Sequence, residues 1–349
     1  MYRSNFFKIS VIIFLFVFIV AGCGKKENYV AKVNGEIITQ AELDKRLESA
    51  VTLLELQGTK LEGEQGEMLK KLLEQETLYQ LIQEKVITQE IEKQGIKLDR
   101  KKAEKQITDM EEIYGKDTFA EMLKAQKASR EDIIKQIAYQ IAVDDLYKKV
   151  TGDVKVTEKE AEDYFNANKE DLIQIKASHI LASAKASEAT PEQMAQAEEK
   201  AKGWIKQLEA GADFVQLAKK ESEEPGADTS GGSLGGYFSK VDSNFVPEFT
   251  EGAFEIKEGA FSQSPVKTEF GYHVIKIEGR KETFEELKTD ILERLTAEKK
   301  NEKFNDFYSD LLKKATIENK LEEKALKEAE KEAQKENTKK NTKENINDK

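Results

Sequence analysis

The sequence predicts a mainly α-helical body, built from both ends of the chain, with an α+β domain inserted between them. Its 349 residues are 38% hydrophobic and 35% charged, a composition that suits long amphipathic helices with solvated outer faces. All four prolines lie at position 191 or later, so the preceding residues can form uninterrupted helices. Glycines, prolines and short strand-like runs cluster between residues 173 and 279. This change indicates a separate α+β domain.

Residues 1–22 have the pattern of a secretory signal peptide. Arg3 and Lys8 precede an uncharged apolar run, which ends in Val-Ala-Gly directly before Cys23. The run is shorter than the roughly 20 residues that a membrane-spanning helix needs, so an uncleaved anchor is the weaker interpretation. Val-Ala-Gly-Cys resembles the bacterial lipobox, which implies cleavage before Cys23 and lipid attachment to its sulfur. The alternative is an unmodified cysteine beside a signal peptide.

Charge and residue counts argue against two classes of function. The chain carries 56 basic and 67 acidic residues, a net charge of −11, which is unfavourable for binding a phosphate backbone. Nucleic acid is therefore not an expected partner. One cysteine and two histidines cannot form a cysteine-rich or histidine-rich metal cluster. We expect no metal site and no cofactor.

Residues 23–171 are predicted to form a helical domain that begins with a short hairpin. Asn34-Gly35 has the residue types of a type I′ turn, and it separates two strand-like runs, 30–33 and 36–38. Thr39 and Glu42 form a capping box, which starts the first helix. Apolar spacing predicts helices at 40–57, 67–94, 99–113, 117–127, 130–149 and 158–168.

Residues 172–279 are predicted as the inserted α+β domain, with helices at about 191–210 and 213–220. Alternation with period two puts His179 and His273 on the apolar faces of two strands that bound this domain. If those strands are neighbours, the rings can hydrogen-bond, each as a defined neutral tautomer. The alternative is two unrelated buried histidines.

The residues after the inserted domain divide into a helix and a tail. Residues 280–320 contain a predicted helix at 284–315, whose apolar stripe must pack on a partner surface. The helical faces of the first domain are the expected partner. Residues 321–349 are highly charged and lack aromatic side chains, so we expect a disordered tail or a frayed helix.

Three motifs in the inserted domain, at 176–181, 231–235 and 265–275, resemble those of parvulin-type peptidyl-prolyl isomerases in the same order. The resemblance implies a four-stranded antiparallel sheet covered by helices. It assigns His179 and His273 to the paired catalytic histidines. It also places Glu224 where the family has a catalytic cysteine or aspartate, and Ser233 replaces the aspartate of the glycine-rich motif. The implied substrate pocket contains Leu234, Phe245, Phe249 and Thr268.

The opening residues 33–39, with the Glu-Leu that follows, resemble the amino-terminal chaperone module of SurA and PrsA proteins. With the lipobox, this resemblance implies a membrane-anchored extracytoplasmic foldase. Its partners would be unfolded secreted polypeptides that contain X-Pro bonds, and its isomerase chemistry needs no cofactor. The main alternative is a holdase whose parvulin domain binds peptides without significant isomerase activity.

A third class, the solute-binding lipoproteins, is disfavoured by the helical pattern. Those proteins have two α/β lobes with alternating strands and helices, whereas long charged helices fill most of this sequence. The oligomeric state is left open between a monomer and a homodimer.

Overall fold

The structure, a computed structural model, describes residues 29–241, 243–327 and 330–331. The predicted signal peptide and Cys23 lie outside these residues. The chain divides into two compact units. Unit 1 contains the described residues of Met1–Asp153 and Lys300–Lys349, and unit 2 is Val154–Lys299. No helix among the described residues is both long and apolar enough to cross a bilayer.

Helices dominate the element order. The first elements are the strands β1 (Tyr29–Val33) and β2 (Glu36–Thr39) and the helices α1 (Gln40–Leu56), α2 (Gly63–Lys93), α3 (Arg100–Tyr114), α4 (Lys116–Ala125) and α5 (Arg130–Thr151). There follow α6 (Glu158–Leu172), β3 (Gln174–Ser183), α7 (Pro191–Glu209), α8 (Phe214–Glu221), α9 (Ala227–Ser230), β4 (Phe238–Ser239), α10 (Pro247–Phe254), β5 (Val266–Thr268) and β6 (Gly271–Lys281). The last elements are α11 (Phe284–Lys314) and β7 (Ile317–Asn319).

The predicted hairpin is present, and it belongs to a three-stranded sheet with the order β2-β1-β7. Asn34 and Gly35 have positive φ angles of 50° and 90°, as a type I′ turn requires. The Asn34 N–H donates to the carbonyl of Thr316, and its side-chain oxygen accepts from the Thr316 N–H, both at 2.8 Å. These bonds join the two ends of the chain and direct β7 onto β1.

Both chain ends contribute to the core of unit 1, which confirms that part of the predicted fold. Val30, Val33 and Ile38 of the hairpin pack with Leu78 and Ile82 of α2. The second half of α11 packs on α2 and α5 through three apolar side chains, Phe304, Phe307 and Leu311. The helical body is therefore closed by the carboxyl-terminal part of the chain.

Unit 2 contains the four-stranded antiparallel sheet, with the order β4-β3-β6-β5. One face of the sheet packs against α7 and α8, where Trp204 and Phe214 cover Ile180 and Val274. The other face packs against α10 through residues such as Ala177. Because side chains alternate along a strand, each strand supplies both cores.

Contacts divide the chain at 153/154 and 299/300, whereas sequence composition places the domain boundaries at 171/172 and 279/280. The physical reason lies in a cluster formed by Phe165 and Leu172 of α6 with Leu287 and Ile291 of α11. This cluster attaches α6 and the first half of α11 to the sheet unit.

The predicted tail is ordered at its start. Residues 320–327 are helical, and Leu321 packs against the hairpin core of unit 1. The sequence left a disordered tail and a frayed helix open for this segment, and its described residues up to 327 are helical.

We predict that Asn34→Ala destabilises the chain by about 1–3 kcal/mol, because it removes the side-chain acceptor of the Thr316 N–H and puts an alanine at positive φ. The measurement is urea unfolding followed by far-ultraviolet circular dichroism. The matched control is Asn305→Ala, on an exposed face of α11, which should change stability by less than about 0.5 kcal/mol. Equal effects of the two substitutions would contradict the proposed tie between the chain ends.

Candidate active site

The two histidines of the chain meet on the α10 face of the sheet. Residue 179 on β3 lies opposite Ile275 on β6, and residue 273 lies opposite Leu181, so the two rings are diagonal neighbours. Their Nδ1 atoms are 3.0 Å apart, and the ring planes differ by only 14°. Both side chains are buried. The interpretation as two unrelated buried histidines is therefore wrong.

One set of tautomers satisfies every contact of the two rings. The hydroxyl oxygen of Thr268 accepts from the Phe270 N–H at 3.1 Å, and its proton can be donated to His273 Nε2, 2.8 Å away. His273 then carries its proton on Nδ1 and donates to His179 Nδ1. The remaining proton of His179 lies on Nε2, which is the atom that faces the side chain of Glu224.

Burial keeps both rings neutral at physiological pH. It lowers the pKa of His179 to about 4. The pKa of His273 is lowered to about 3, by burial first and then by the neighbouring His179. A charged dyad would place a positive charge in an apolar interior, and protonation of both Nδ1 atoms would replace their hydrogen bond with two opposed donors.

Glu224 lies at the open side of the dyad. Its Oε2 atom is 4.0 Å from His179 Nε2, which is longer than a direct hydrogen bond. The side chain is 41% exposed, so the carboxylate has space to move relative to the ring. The structure therefore brings together four of the predicted site residues: His179, His273, Thr268 and Glu224.

The predicted pocket aromatics differ in burial. Phe249 is only 3% exposed and meets His179 and His273 edge-on, at ring centroid distances of 5.6 and 5.2 Å. Phe245 is half-buried and lies 5.2 Å from Phe249. Phe249 is therefore a core residue that supports the dyad, while Phe245 and the half-buried Leu234 line the accessible edge of the same cluster.

Sequence reasoning missed Phe238, whose ring centroid lies 4.8 Å from that of Phe245. It extends the aromatic cluster from α10 towards β4. Its only sequence signal is an aromatic residue after a Gly-Gly-Tyr turn, because a two-residue strand shows no periodicity.

The glycine-rich motif pairs with the edge of β3 beside the dyad. The His179 N–H donates to the Gly232 carbonyl at 2.9 Å, and the Leu234 N–H donates to the Ala177 carbonyl at 3.1 Å. A Cβ atom on Gly232 would lie 2.2 Å from the His179 carbonyl oxygen, and its φ is +79°. Only glycine fits there. Ser233 accepts from the Gly235 N–H at 3.3 Å, so it supplies a local turn contact where the motif has an aspartate.

Comparison with known proteins identifies the family. The family models for a PPIC-type PPIASE domain and a SurA-like N-terminal domain match residues 164–281 and 1–147. The foldase protein PrsA of Clostridium botulinum (strain 657 / Type Ba4) is 34% identical over 296 residues, which span 80% of this chain and 84% of that protein. The chain belongs to the PrsA foldase family. Unit 2 thus carries a parvulin-type peptidyl-prolyl isomerase domain.

Other PrsA proteins show the same similarity. The foldase protein PrsA of Caldanaerobacter subterraneus subsp. tengcongensis is 34% identical over 300 residues, covering 83% of this chain and 88% of that protein. The crystal structure of the peptidylprolyl isomerase PrsA from Bacillus anthracis has 31% identity and a TM-score of 0.30, covering 68% of this chain and 96% of that chain.

The described part of this chain contains no cluster of three or more acidic, histidine or cysteine side chains that could hold a metal.

We predict that both imidazoles of the folded protein remain neutral at pH 5, since their pKa values lie near 4 and 3. Unfolded histidines protonate near pH 6.5. The histidine contribution to stability is therefore fully present above that pH and declines as the pH falls towards 4. Because the chain has only two histidines, nitrogen NMR of ¹⁵N-histidine-labelled protein reports both directly. A titration midpoint near 6.5 for either ring would contradict the buried neutral dyad.

Proposed function

We propose that this chain is a lipid-anchored extracytoplasmic foldase that isomerises X-Pro bonds in secreted polypeptides after translocation. The observation that carries the isomerase proposal is the buried neutral His179–His273 pair, with Glu224 and a half-buried aromatic rim at its open side. This arrangement supports binding a proline ring beside a carboxylate without a nucleophile or a cofactor.

The reaction asks little of the protein except positioning and electrostatics. Rotation about the X-Pro amide must cross a resonance barrier of about 18–20 kcal/mol. A site accelerates it by binding the twisted amide better than either planar isomer. In our proposal Phe245 and Leu234 hold the proline ring. Thr268 and the histidines form a fixed support beneath it. Glu224 interacts electrostatically with the altered charge distribution of the twisted amide.

In our proposal the histidines have a positioning role. The Nδ1 atoms of His179 and His273 bind each other, and Nε2 of His273 binds the hydroxyl of Thr268. The Nε2 atom of His179 is the ring nitrogen outside these two hydrogen bonds. No proton transfer from the dyad is therefore required by the proposed mechanism.

A second activity, suppression of aggregation by unit 1, is supported by its exposed apolar side chains. Met68 on α2 is 67% exposed and Ile113 on α3 is 72% exposed. Such side chains can bind apolar stretches of unfolded polypeptides.

The two activities are separated by assaying the full chain on a proline-containing tetrapeptide and on an aggregating client. Absence of isomerisation together with aggregation suppression would favour the holdase alternative.

We predict that Phe245→Ala leaves the chain folded but lowers kcat/KM on X-Pro peptides strongly, because its side chain is half-buried at the edge of the site. Phe249→Ala should instead cost about 3–5 kcal/mol of stability, since this side chain is core. Urea unfolding and a peptide isomerisation assay on the same variants provide the measurements. Full activity in a folded Phe245→Ala variant would remove this residue from the site.

The anchor proposal depends on the lipobox-like residues before Cys23. We predict that Cys23→Ala releases the protein from the membrane fraction or leaves its signal peptide uncleaved, because acyl chains on this sulfur provide the attachment. Cell fractionation and intact mass measurement of the mature protein check this. An unmodified Cys23 in processed, membrane-bound wild-type protein would contradict lipidation.

A further inference from the structure

The outer edge of β3, opposite β6, is paired with β4 at its start and covered from Ala177 onwards by residues that connect α8 to β4. Near the middle of the strand, Gly232 and Leu234 form ordinary backbone pairs with His179 and Ala177. Beyond His179 no strand among the described residues continues along this edge. The last residues of β3 would then expose unpaired backbone groups directly beside the active site.

Two side chains replace the missing strand. The hydroxyl oxygen of Ser222 accepts from the Leu181 N–H at 3.1 Å and from the Glu224 N–H at 3.3 Å. The Glu223 N–H donates to the Leu181 carbonyl at 2.9 Å. The Ser183 N–H then donates to the Glu223 carboxylate at 2.6 Å. The carboxylate of Glu223 thus occupies the place of a carbonyl on an adjacent strand.

The Glu223 carboxylate is also tied to the helical layer. Lys200 of α7 lies 2.7 Å from its second oxygen. The Lys200 ammonium lies 5.3 Å from the ring centroid of Trp204, which is itself only 2% exposed. The contacts of Glu223 therefore run from the edge of β3, through Lys200, to the core beneath the sheet.

We propose that Glu223 is a positioning residue that fixes the backbone from which Glu224 reaches the dyad. This inference rests on the proposed role of Glu224 in isomerisation. On one side of Glu224, residues Ser222 and Glu223 bind β3. On the other side, Pro225 restricts the backbone conformation of Glu224 itself. With both neighbours restrained, only the side chain of Glu224 retains freedom to move.

Stability alone does not account for this arrangement. The side chains of Glu223 and Lys200 are 43% and 38% exposed, and ion pairs with such exposure contribute little to stability. Their removal should therefore affect the placement of Glu224 more than the folding of the chain. This difference gives the proposal a measurable signature.

The test compares Glu223→Ala and Glu223→Gln in the full chain, using a proline-containing tetrapeptide as the substrate. Glu223→Ala should lower kcat/KM on the order of tenfold, through misplacement of Glu224, with little change in the urea midpoint. Glu223→Gln keeps an oxygen for the Ser183 N–H and should recover most of the activity. The matched control is Glu199→Ala, which breaks the exposed Lys202 pair on α7 and should leave kcat/KM unchanged.

The decisive measurement is the same substitution in a Glu224→Gln background. If Glu223 acts through Glu224, Glu223→Ala should have little further effect there. An undiminished loss of activity in that background would overturn the proposal while leaving the isomerase function intact. Full activity of Glu224→Gln would also overturn it, because no group would remain to be positioned. A wild-type chain without isomerase activity would instead contradict the proposed function.

Discussion

The hydrogen bond between the Nδ1 atoms of His179 and His273 requires one Nδ1 to carry a proton and the other to accept it, and burial lowers the pKa of both rings so that the pair is neutral. Much of unit 2 serves this requirement. Phe249 packs edge-on against both rings, Thr268 lies within hydrogen-bond distance of His273 Nε2, and the register of β3 against β6 sets the 3.0 Å approach. The dyad therefore forms a buried, uncharged support beneath the site.

The side chains at the open side of the dyad are more exposed than the two histidines themselves. Glu224, Phe245 and Leu234 are only partly buried, and they belong to segments outside the central strands β3 and β6. An isomerase must accept a planar amide, hold it while it twists, and release the other planar isomer. In the proposed mechanism, these partly buried side chains adjust to the substrate while the buried residues of the sheet stay in place.

Local sequence signals predicted the helices well, because their causes are local. The capping boxes at Thr39, Thr157 and Thr190 are all present in the structure, and apolar spacing gave the helix lengths. Features with non-local causes were either not predicted or predicted only in part. β7 exists only as a partner of β1, which lies far from it in sequence. The different burial of Phe245 and Phe249 follows from the position of the dyad, since helical spacing treats both rings alike. From sequence alone, Glu223 cannot be distinguished from other acidic loop residues, because its contacts are with β3, which is distant in sequence.

Trp204 is the only tryptophan of the chain, and it lies in the α7 core of unit 2, almost fully buried beside the Lys200 ammonium. Intrinsic tryptophan fluorescence from the intact protein is consequently an optical label for one unit. Far-ultraviolet dichroism is dominated by helices from both units. A loss of the two signals at different denaturant concentrations would thus identify which unit unfolds first, without any introduced fluorophore.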